Sequence, residues 1–213
     1  LDKLHTEIPE HRIKETQTLV SILGDEVVKE FPWKDKMRPS TDDKIEGVLR
    51  RTWKPALSIV GSDGLPPTAN AGNVLRPYTT LQLSMRIPPM VDAQEAKSAI
   101  ENALNENIPY GATVELDFEE AADGWNAPET SPWLLDAIEK ASKQYFRQPP
   151  CSISEGGTIP FMAMLGEQFP RAQFVITGVL GPKSNAHGPN EFLHIPFAKK
   201  LTCCISSILS DYK

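Results

Sequence analysis

Residues 79–87, TTLQLSMRI, decide the fold of the first half of this chain. Apolar and polar side chains alternate strictly along the stretch. One face receives Leu81, Leu83, Met85 and Ile87, and the other receives Thr80, Gln82, Ser84 and Arg86. A period of two predicts a β-strand that packs one face on a core and turns the other toward solvent or a cleft.

The elements around this strand complete a pattern. Beyond Pro88-Pro89 a helix is predicted, because apolar residues recur at helical spacing: Ala96, Ala99, Ile100, Ala103 and Leu104. Residues 113–120, TVELDFEE, alternate again, and residues 56–60 form a further strand candidate. Two half-polar strands on either side of one amphipathic helix indicate an α+β layer with helices on one sheet face.

The second half of the chain has a different pattern. A helix is predicted from Pro132, with Ser131 as its N-cap and an inner stripe of Leu135, Ile138, Ser142 and Tyr145. Residues 173–180, QFVITGVL, are continuously apolar, which is typical of a parallel strand buried on both faces. Short and long helices are predicted after Pro160 and from Pro196. We therefore predict two domains, 1–122 and 123–213.

Composition narrows the class of protein. Among 213 residues, 22 Lys and Arg stand against 28 Asp and Glu, and the net charge of -6 argues against nucleic-acid or anionic-membrane partners. No run of about 20 apolar residues predicts a membrane span, and the charged first residues carry no signal-peptide pattern. Three cysteines, two of them adjacent, indicate a reducing compartment. We expect a cytoplasmic protein.

One histidine is placed where chemistry is expected. His187 lies in the loop GPKSNAHGPNEFLH (181–194), after the predicted buried strand, and ligands of open α/β sheets bind beyond the carboxyl ends of strands. Small neighbours, Ala186 and Gly188, allow close approach. A neutral imidazole serves as a metal ligand or a general base. A surface histidine that only hydrogen-bonds its own turn is the open alternative.

Two other features suit anions. Arg86, on the polar face of its strand, can clamp a carboxylate with both arms of its guanidinium; the alternative is a solvated arginine. Residues 154–158, SEGGT, form a Gly-Gly turn entering a helix, where free N–H groups and the Thr158 hydroxyl can bind an anion. The alternative is a tight turn with an ordinary cap.

A self-contained metal site is not predicted. Zinc needs three or four protein ligands, whereas His194 is seven residues beyond His187, and His5 and His11 are far off in sequence. The pair Cys203-Cys204 lies in an amphipathic helix, where packing explains it better than ligation.

Three segments in order carry a resemblance: GNVLRPYTTLQLSMRIPP (72–89), SEGGTIP (154–160) and SNAHGPNE (184–191). Together they resemble the di-zinc family of carnosinase, cytosolic non-specific dipeptidase, acetylornithine deacetylase and succinyl-diaminopimelate desuccinylase. The dipeptidase branch is most similar, since its Glu-Gly-Gly-Ser-Ile-Pro segment is nearly matched by Glu155–Pro160. The resemblance implies an α+β lid (dimerisation) domain, followed by the C-terminal part of an α/β di-zinc peptidase catalytic domain.

The resemblance also implies residue roles. His187 matches the last zinc ligand of the family. Arg86 matches the lid arginine that binds the substrate carboxylate, and Asn73 stands where the family has a polar residue that contacts substrate. Gly157 and Thr158 match the residues that hold the substrate's terminal carboxylate.

This chain lacks several motifs that family members carry before and within the lid domain. The family's His-x-Asp pair, bridging aspartate, Glu-Glu pair and lid histidine are missing, and Ser154 replaces an arginine common in dipeptidases. We therefore expect an N-terminally truncated lid and no catalytic residue in this chain, with the general base upstream. Two zinc ions are expected in the complete enzyme but not stably bound by this chain alone.

The implied function is that of a fragment of a zinc-dependent dipeptidase or N-acyl-amino-acid amidohydrolase, inactive by itself. In the complete enzyme a metal-activated water hydrolyses an amide bond next to a free carboxylate. The expected partners are a peptide or N-acyl amino acid substrate and a second copy, as a homodimer through the lid. The alternative is a non-catalytic dimerisation or ligand-binding module derived from that family.

Overall fold

The computed structural model describes residues 1–155, 160–181 and 183–212. Strands β1 (Ala56–Asp63) and β2 (Thr80–Arg86) pair with each other in antiparallel fashion. The helices of the described residues are α1 (Glu10–Leu23), α2 (Glu26–Lys29), α3 (Lys44–Thr52), α4 (Ala93–Asn105), α5 (Pro132–Tyr145), α6 (Pro160–Gln168) and α7 (Ile195–Asp211). The chain is therefore α+β, as predicted.

Two compact units are built from segments that interleave along the sequence. Unit 1 contains residues 1–7, 50–125 and 155–160, and unit 2 contains residues 8–49, 126–154 and 161–213. The division of the chain at residues 122 and 123 into a lid and a catalytic portion stays a prediction.

The β1–β2 hairpin is the sheet of unit 1. Ala56 pairs with Arg86 at one end and Asp63 with Thr80 at the other, with a bulge between Ile59 and Gly61. Both strands were predicted, and β1 runs three residues further than expected. Gly64 starts the connection with a φ of 82°, and a Cβ there would come within 2.4 Å of the Tyr78 carbonyl oxygen.

Helix α4 packs on the end of β2, as its apolar stripe predicts. Leu4, Val91 and Ala96 form the buried cluster, against which Met85, Ile87 and Ile100 also pack. Two carboxylates serve its first turn. Asp92 accepts from the N–H groups of Gln94 and Glu95 at 2.9 and 2.8 Å, and Asp123 accepts from that of Ala93 at 2.7 Å. Negative charge at a helix N-terminus stabilises the helix.

The strand predicted over residues 113–120 is wrong. The structure gives these residues no sheet pairing, although Leu116 and Phe118 are half-buried as the alternation suggests. The Lys97 ammonium lies 5.0 Å from the Phe118 ring centroid, so the segment runs against α4. Alternation reports which side chains are covered, but a strand also needs a neighbouring strand. In the described chain, β1 and β2 pair only with each other.

Helices α5 and α7 form the main core of unit 2. Its buried residues are Leu134, Ala137, Ala141, Cys204 and Ile208. The predicted inner stripe of α5 is right in part. Ile138 and Tyr145 pack against this core, but Leu135 is 53% exposed and Leu134, at 2%, holds the buried position instead. Small alanines let the two helices approach closely, so the stripe with the smaller side chains faces inward.

The start of α5 also differs from expectation. Ser131 holds the N-cap position, as predicted, but its side chain makes no capping hydrogen bond. Its hydroxyl is buried without a hydrogen-bond partner, whereas its backbone N–H donates to Oε1 of Gln173 at 2.6 Å. The segment before α5 is tied to α1 by Arg12, whose guanidinium donates to the Ala127 carbonyl oxygen at 2.6 Å.

Helix α1 spans 14 residues and contributes Leu19 to a cluster with Val27 and Val48. Helix α6 begins at Pro160 and α7 begins one residue before Pro196, as predicted within one position.

The parallel strand predicted over residues 173–180 is wrong as well. These residues have no sheet pairing, and Val175, Ile176 and Leu180 are 40–56% exposed rather than buried. A continuously apolar segment is covered only where other strands and helices flank it. Within the described residues, no strand is available to this segment.

The exposed area is large for the mass. The 23.6 kDa chain exposes 16231 Å². The accessible surface area of folded monomers scales with their molecular mass. This relation gives about 9,800 Å² for one body of this mass, and about 11,800 Å² for two separate bodies of half the mass. The excess means that much surface, including apolar surface, is uncovered. Among the described helices, none is long and apolar enough to cross a bilayer.

Candidate functional site

The loop that carries His187 is closed at its base. The Phe192 N–H donates to the carbonyl oxygen of Ser184 at 3.2 Å, and the Ser184 N–H donates to that of Gly181, also at 3.2 Å. Ser184 is 5% exposed, so the base is anchored in the interior of unit 2. His187 lies between these two ends and is exposed. The fold therefore presents this imidazole to solvent from a loop whose ends are fixed.

Hydrogen bonds on both sides of His187 shape the loop tip. The Asn185 side chain donates to the Pro189 carbonyl oxygen at 2.7 Å, and the Gly188 N–H donates to the Asn185 carbonyl oxygen at 2.9 Å. The His187 N–H donates to Oε2 of Glu191 at 3.1 Å. A Cβ at Gly188 would come within 2.5 Å of the Asn185 amide nitrogen, so a larger residue there would displace the Asn185 side chain.

The loop backbone is strained. Lys183, Asn185, His187 and Asn190 all have φ between 56° and 65°. The left-handed region costs a non-glycine residue roughly 1–2 kcal/mol, and asparagine compensates with its short polar side chain. Lys183 has no such side chain, and at His187 the backbone N–H is hydrogen-bonded to Glu191. A hydrogen bond to a charged acceptor contributes up to about 1.5–3 kcal/mol, so the Glu191 contact is of the size needed at His187.

Arg86 and Asn73 lie in unit 1. Arg86 is the last residue of β2, is exposed and pairs in the ladder with Ala56. Asn73 is exposed in the long β1–β2 connection, which leaves the opposite end of the ladder. The two residues are therefore attached to opposite ends of one hairpin, while His187 belongs to unit 2. Gly157 and Thr158, the candidate carboxylate-binding pair, lie outside the described residues.

Two other candidate metal ligands have structural roles. The Nδ1 atom of His194 accepts a hydrogen bond from the Phe197 N–H at 3.1 Å and so caps α7. Gly181 provides room for this ring, because a Cβ there would meet the His194 Cβ at 2.8 Å. Cys204 is buried in the α5–α7 core, as its position on the helix predicts.

The described residues do not make up a complete metal site. Over residues 1–155, 160–181 and 183–212, no group of three or more His, Cys, Asp and Glu side chains is placed to hold an ion. His187 offers one exposed imidazole, and zinc requires three or four protein ligands. A zinc centre therefore does not fit this chain's described residues by themselves.

Sequence reasoning located the loop but missed Glu191 and Asn185. Both lie in the segment 184–191 that was singled out, and one signal was available. An Asn-x-x-Gly sequence followed by a carboxylate is typical of a turn with left-handed residues and a side-chain acceptor. The pairing of Glu191 with the His187 N–H depends on the loop's path, which the sequence does not specify.

Comparison with known proteins gives one sequence relative. No family model matches the chain. A cysteinylglycine-S-conjugate dipeptidase from Corynebacterium striatum is 26% identical over 152 residues, which are 68% of this chain and 33% of that protein. The chain thus spans a third of the length of this curated relative.

Solved structures match nearly the whole chain. Human carnosine dipeptidase 1 has a TM-score of 0.66 at 17% identity, with 97% of this chain and 43% of that chain covered. A metallo-carboxypeptidase of the M20 family from Sulfolobus solfataricus has a TM-score of 0.73 at 18% identity, covering 98% and 46%. A di-peptidase from Saccharomyces cerevisiae has a TM-score of 0.62 at 19% identity, covering 99% and 43%.

These similarities point to one class of protein. The resemblance to a family of dipeptidases and M20 metallopeptidases is confirmed, and the fold of the chain is similar to less than half of such a metallopeptidase. Within that class, the relatives named above are dipeptidases and a carboxypeptidase, so the activity of the family is hydrolysis of peptides.

Proposed function

We propose that this chain is part of a zinc-dependent dipeptidase or N-acyl-amino-acid amidohydrolase. Residues 1–122 are its lid domain, and residues 123–213 are the C-terminal portion of its catalytic domain. The observation that carries the proposal is the exposed His187, held at the tip of a closed loop in one of the segments that bear the family resemblance.

The residues of this chain would recognise substrate and supply one metal ligand. His187 contributes an imidazole to a zinc site whose other ligands, and the general base, come from outside the described residues. Arg86 recognises the substrate carboxylate, because a guanidinium offers two parallel N–H donors to the two carboxylate oxygens. Asn73, Gly157 and Thr158 complete this recognition. Arg86 and Asn73 are exposed, as binding requires.

The proposed assembly is a homodimer formed through the lid, in the cytoplasm. Along the β1–β2 register, one face carries Leu57, Ile59, Leu81 and Leu83, which are 43–63% exposed. A face with this much apolar surface is stabilised when a second copy covers it. The hairpin has a free edge on each side to which another copy could also add, since its strands pair only with each other in the described chain.

Activity with zinc tests the proposal. We expect the isolated chain, with excess zinc and a panel of dipeptides and N-acetyl amino acids, to show no hydrolysis above background. If the reading frame extends before Leu1, the longer polypeptide that it encodes should hydrolyse them. His187→Ala should abolish that activity. Arg86→Ala should mainly raise KM for substrates with a free carboxylate, whereas Lys54→Ala serves as a matched control for lost positive charge.

Two results would contradict the proposal. Robust turnover by the isolated chain that is lost in His187→Ala would show that no further ligands are needed. A reading frame that lacks His-x-Asp and Glu-Glu sequences before Leu1 would favour the non-catalytic module, for which the uncovered apolar hairpin face is the supporting observation. Light scattering would then give a dimer that binds ligand without hydrolysis.

A further inference from the structure

We propose that Glu191 is the positioning residue of His187. Its carboxylate holds the backbone of the loop tip in the left-handed region and thereby sets the direction in which the imidazole leaves the chain. The inference rests on the proposed function, in which His187 is a metal ligand.

The first step is the contact itself. Oε2 of Glu191 accepts the His187 N–H at 3.1 Å, across four residues of sequence. Carboxylate acceptors make the stronger class of hydrogen bond to a backbone N–H. His187 has a φ of 60°, in the left-handed region that few non-glycine residues adopt. The acceptor lies where this backbone conformation directs the N–H.

The second step connects the backbone to the imidazole. The direction of the Cα–Cβ bond is set by the backbone, so a change of φ from positive to negative turns the side chain to another side of the loop. Ala186 and Gly188, the neighbours of His187, have no bulk that would confine the ring. Backbone control is therefore the means by which this loop can direct its imidazole.

The third step separates this contact from the rest of the loop. The bonds from Asn185 to Pro189, from Gly188 to Asn185 and from Phe192 to Ser184 join residues on the two sides of His187. They close the loop, whereas the contact that reaches His187 itself comes from Glu191. One set of hydrogen bonds therefore closes the loop, and the separate bond from the His187 N–H to Glu191 orients the histidine.

The test reads the backbone of His187 by NMR in the full chain, without metal or substrate. The signals are its HN–Hα coupling, its Cα and Cβ shifts, and the exchange of its amide with water. Glu191→Ala removes the acceptor, Glu191→Gln keeps an oxygen at the same reach, and Glu191→Asp shortens the reach. Glu167→Ala, an exposed glutamate of α6, is the matched control.

In Glu191→Ala we expect His187 to leave the left-handed region and its amide to exchange about tenfold faster, the effect of losing one charge-assisted hydrogen bond. Glu191→Gln should restore most of the protection, Glu191→Asp should lie between, and the control should change nothing. Unchanged His187 signals in Glu191→Ala would overturn the proposal, and so would a failure of Glu191→Gln to restore them. If Glu191→Ala does not fold, the Asp and Gln variants decide by the same signals.

Measurement of the zinc affinity of the longer polypeptide distinguishes a failure of this inference from a failure of the proposed function. We expect Glu191→Ala to lower it about tenfold and Glu191→Gln to recover it, as for other groups that orient a metal ligand. If His187→Ala leaves zinc affinity unchanged, the proposed function fails while the NMR result stands. If His187→Ala abolishes binding but Glu191→Ala has no effect on either measurement, only the positioning role fails.

Discussion

The thiol of Cys204 in α7 donates a hydrogen bond to the carbonyl oxygen of Ala141 in α5 over 3.5 Å. The two residues are 7% and 1% exposed, so the contact lies within the buried core of unit 2. Such proximity of a side chain on one helix to the backbone of another requires a small residue on the helix that is approached. The α5–α7 contact therefore depends on the size of Ala141.

Enlarging that alanine should weaken unit 2. We expect Ala141→Leu to lower the free energy of unfolding by about 1–3 kcal/mol, the usual cost of overpacking a filled core. Lys140→Leu places the same side chain one position away on the exposed face of α5 and should change it by less than about 0.5 kcal/mol. Urea unfolding of both variants measures the difference, and equal midpoints would contradict the packing described here.

The adjacent cysteines should differ in reactivity. Burial raises the pKa of the Cys204 thiol, and the neighbouring Cys203 adds to that shift, so little thiolate forms near neutral pH. The Cys203 side chain is exposed. We expect iodoacetamide to label Cys203 in the folded protein and Cys204 only in urea, as read by mass spectrometry of peptides. Cys203→Ser is the control, and rapid native labelling of Cys204 in that variant would contradict its burial.

The connection after β1 should not tolerate a side chain at its first residue. Gly64→Ala combines a positive φ with a clash against the Tyr78 carbonyl oxygen, so we expect a loss of about 1–2 kcal/mol or more. Gly72→Ala, in the same connection, meets nothing within 4 Å and should be neutral or slightly stabilising. Thermal unfolding monitored in the hairpin residues distinguishes the two. If Gly64→Ala proved as stable as Gly72→Ala, or more stable, the conformation described for Gly64 would be contradicted.

Acid should release the contact between Asp25 and α3. The Lys44 ammonium lies 2.6 Å from Oδ1 of Asp25, and its hydrogen bond and charge, helped by Lys29, hold the pKa of that carboxyl below 3.8. Because the folded pKa is the lower one, the contribution to stability is complete above the unfolded pKa and is lost as the pH falls through the folded value. Both side chains are exposed, so we expect the ion pair to contribute little to the free energy of unfolding.

An NMR titration of the Asp25 carboxyl carbon checks this directly. Lys44→Met should move its midpoint up toward the ordinary aspartate value, whereas Lys36→Met, which removes a lysine elsewhere in the same surface segment, should not. Identical midpoints in the wild type and Lys44→Met would contradict the ion pair.

Local patterns in the sequence predicted local structure well. The alternation in residues 79–87 and the helical stripe through Ala96 gave the right elements, because facing and hydrogen bonding within a helix or hairpin are set by near neighbours. Asp92 caps α4 by the same short-range rule.

Sequence patterns were less reliable for elements that form only beside a strand or helix distant in the sequence. Residues 113–120 and 173–180 have strand-like sequences, yet the described chain offers them no adjacent strand. On α5, Ile138 and Tyr145 were placed correctly, but Leu135 was placed on the inner face because it is more hydrophobic than Ala137, whereas the approach of α7 selects for small size.

The candidate site shows the same division. The place of His187 in a loop before the last helix was predictable from the order of elements. The acceptor at Glu191 was not, because whether this carboxylate reaches the His187 N–H depends on the backbone conformations of the three residues between them. The roles of Arg86, Asn73, Gly157 and Thr158 stay predictions.

The interleaving of the two units limits how this chain can be divided and how fast it can fold. A single cut after residue 125 would deprive unit 1 of residues 155–160 and would leave residues 8–49, which belong to unit 2, on the wrong piece. Leu4 must meet Val91 before unit 1 has its core. In unit 2 the hydrogen bond from Arg12 to Ala127 joins residues 115 positions apart. Such distant contacts close long loops, which slows folding. Neither unit can therefore be produced as one continuous stretch of this sequence.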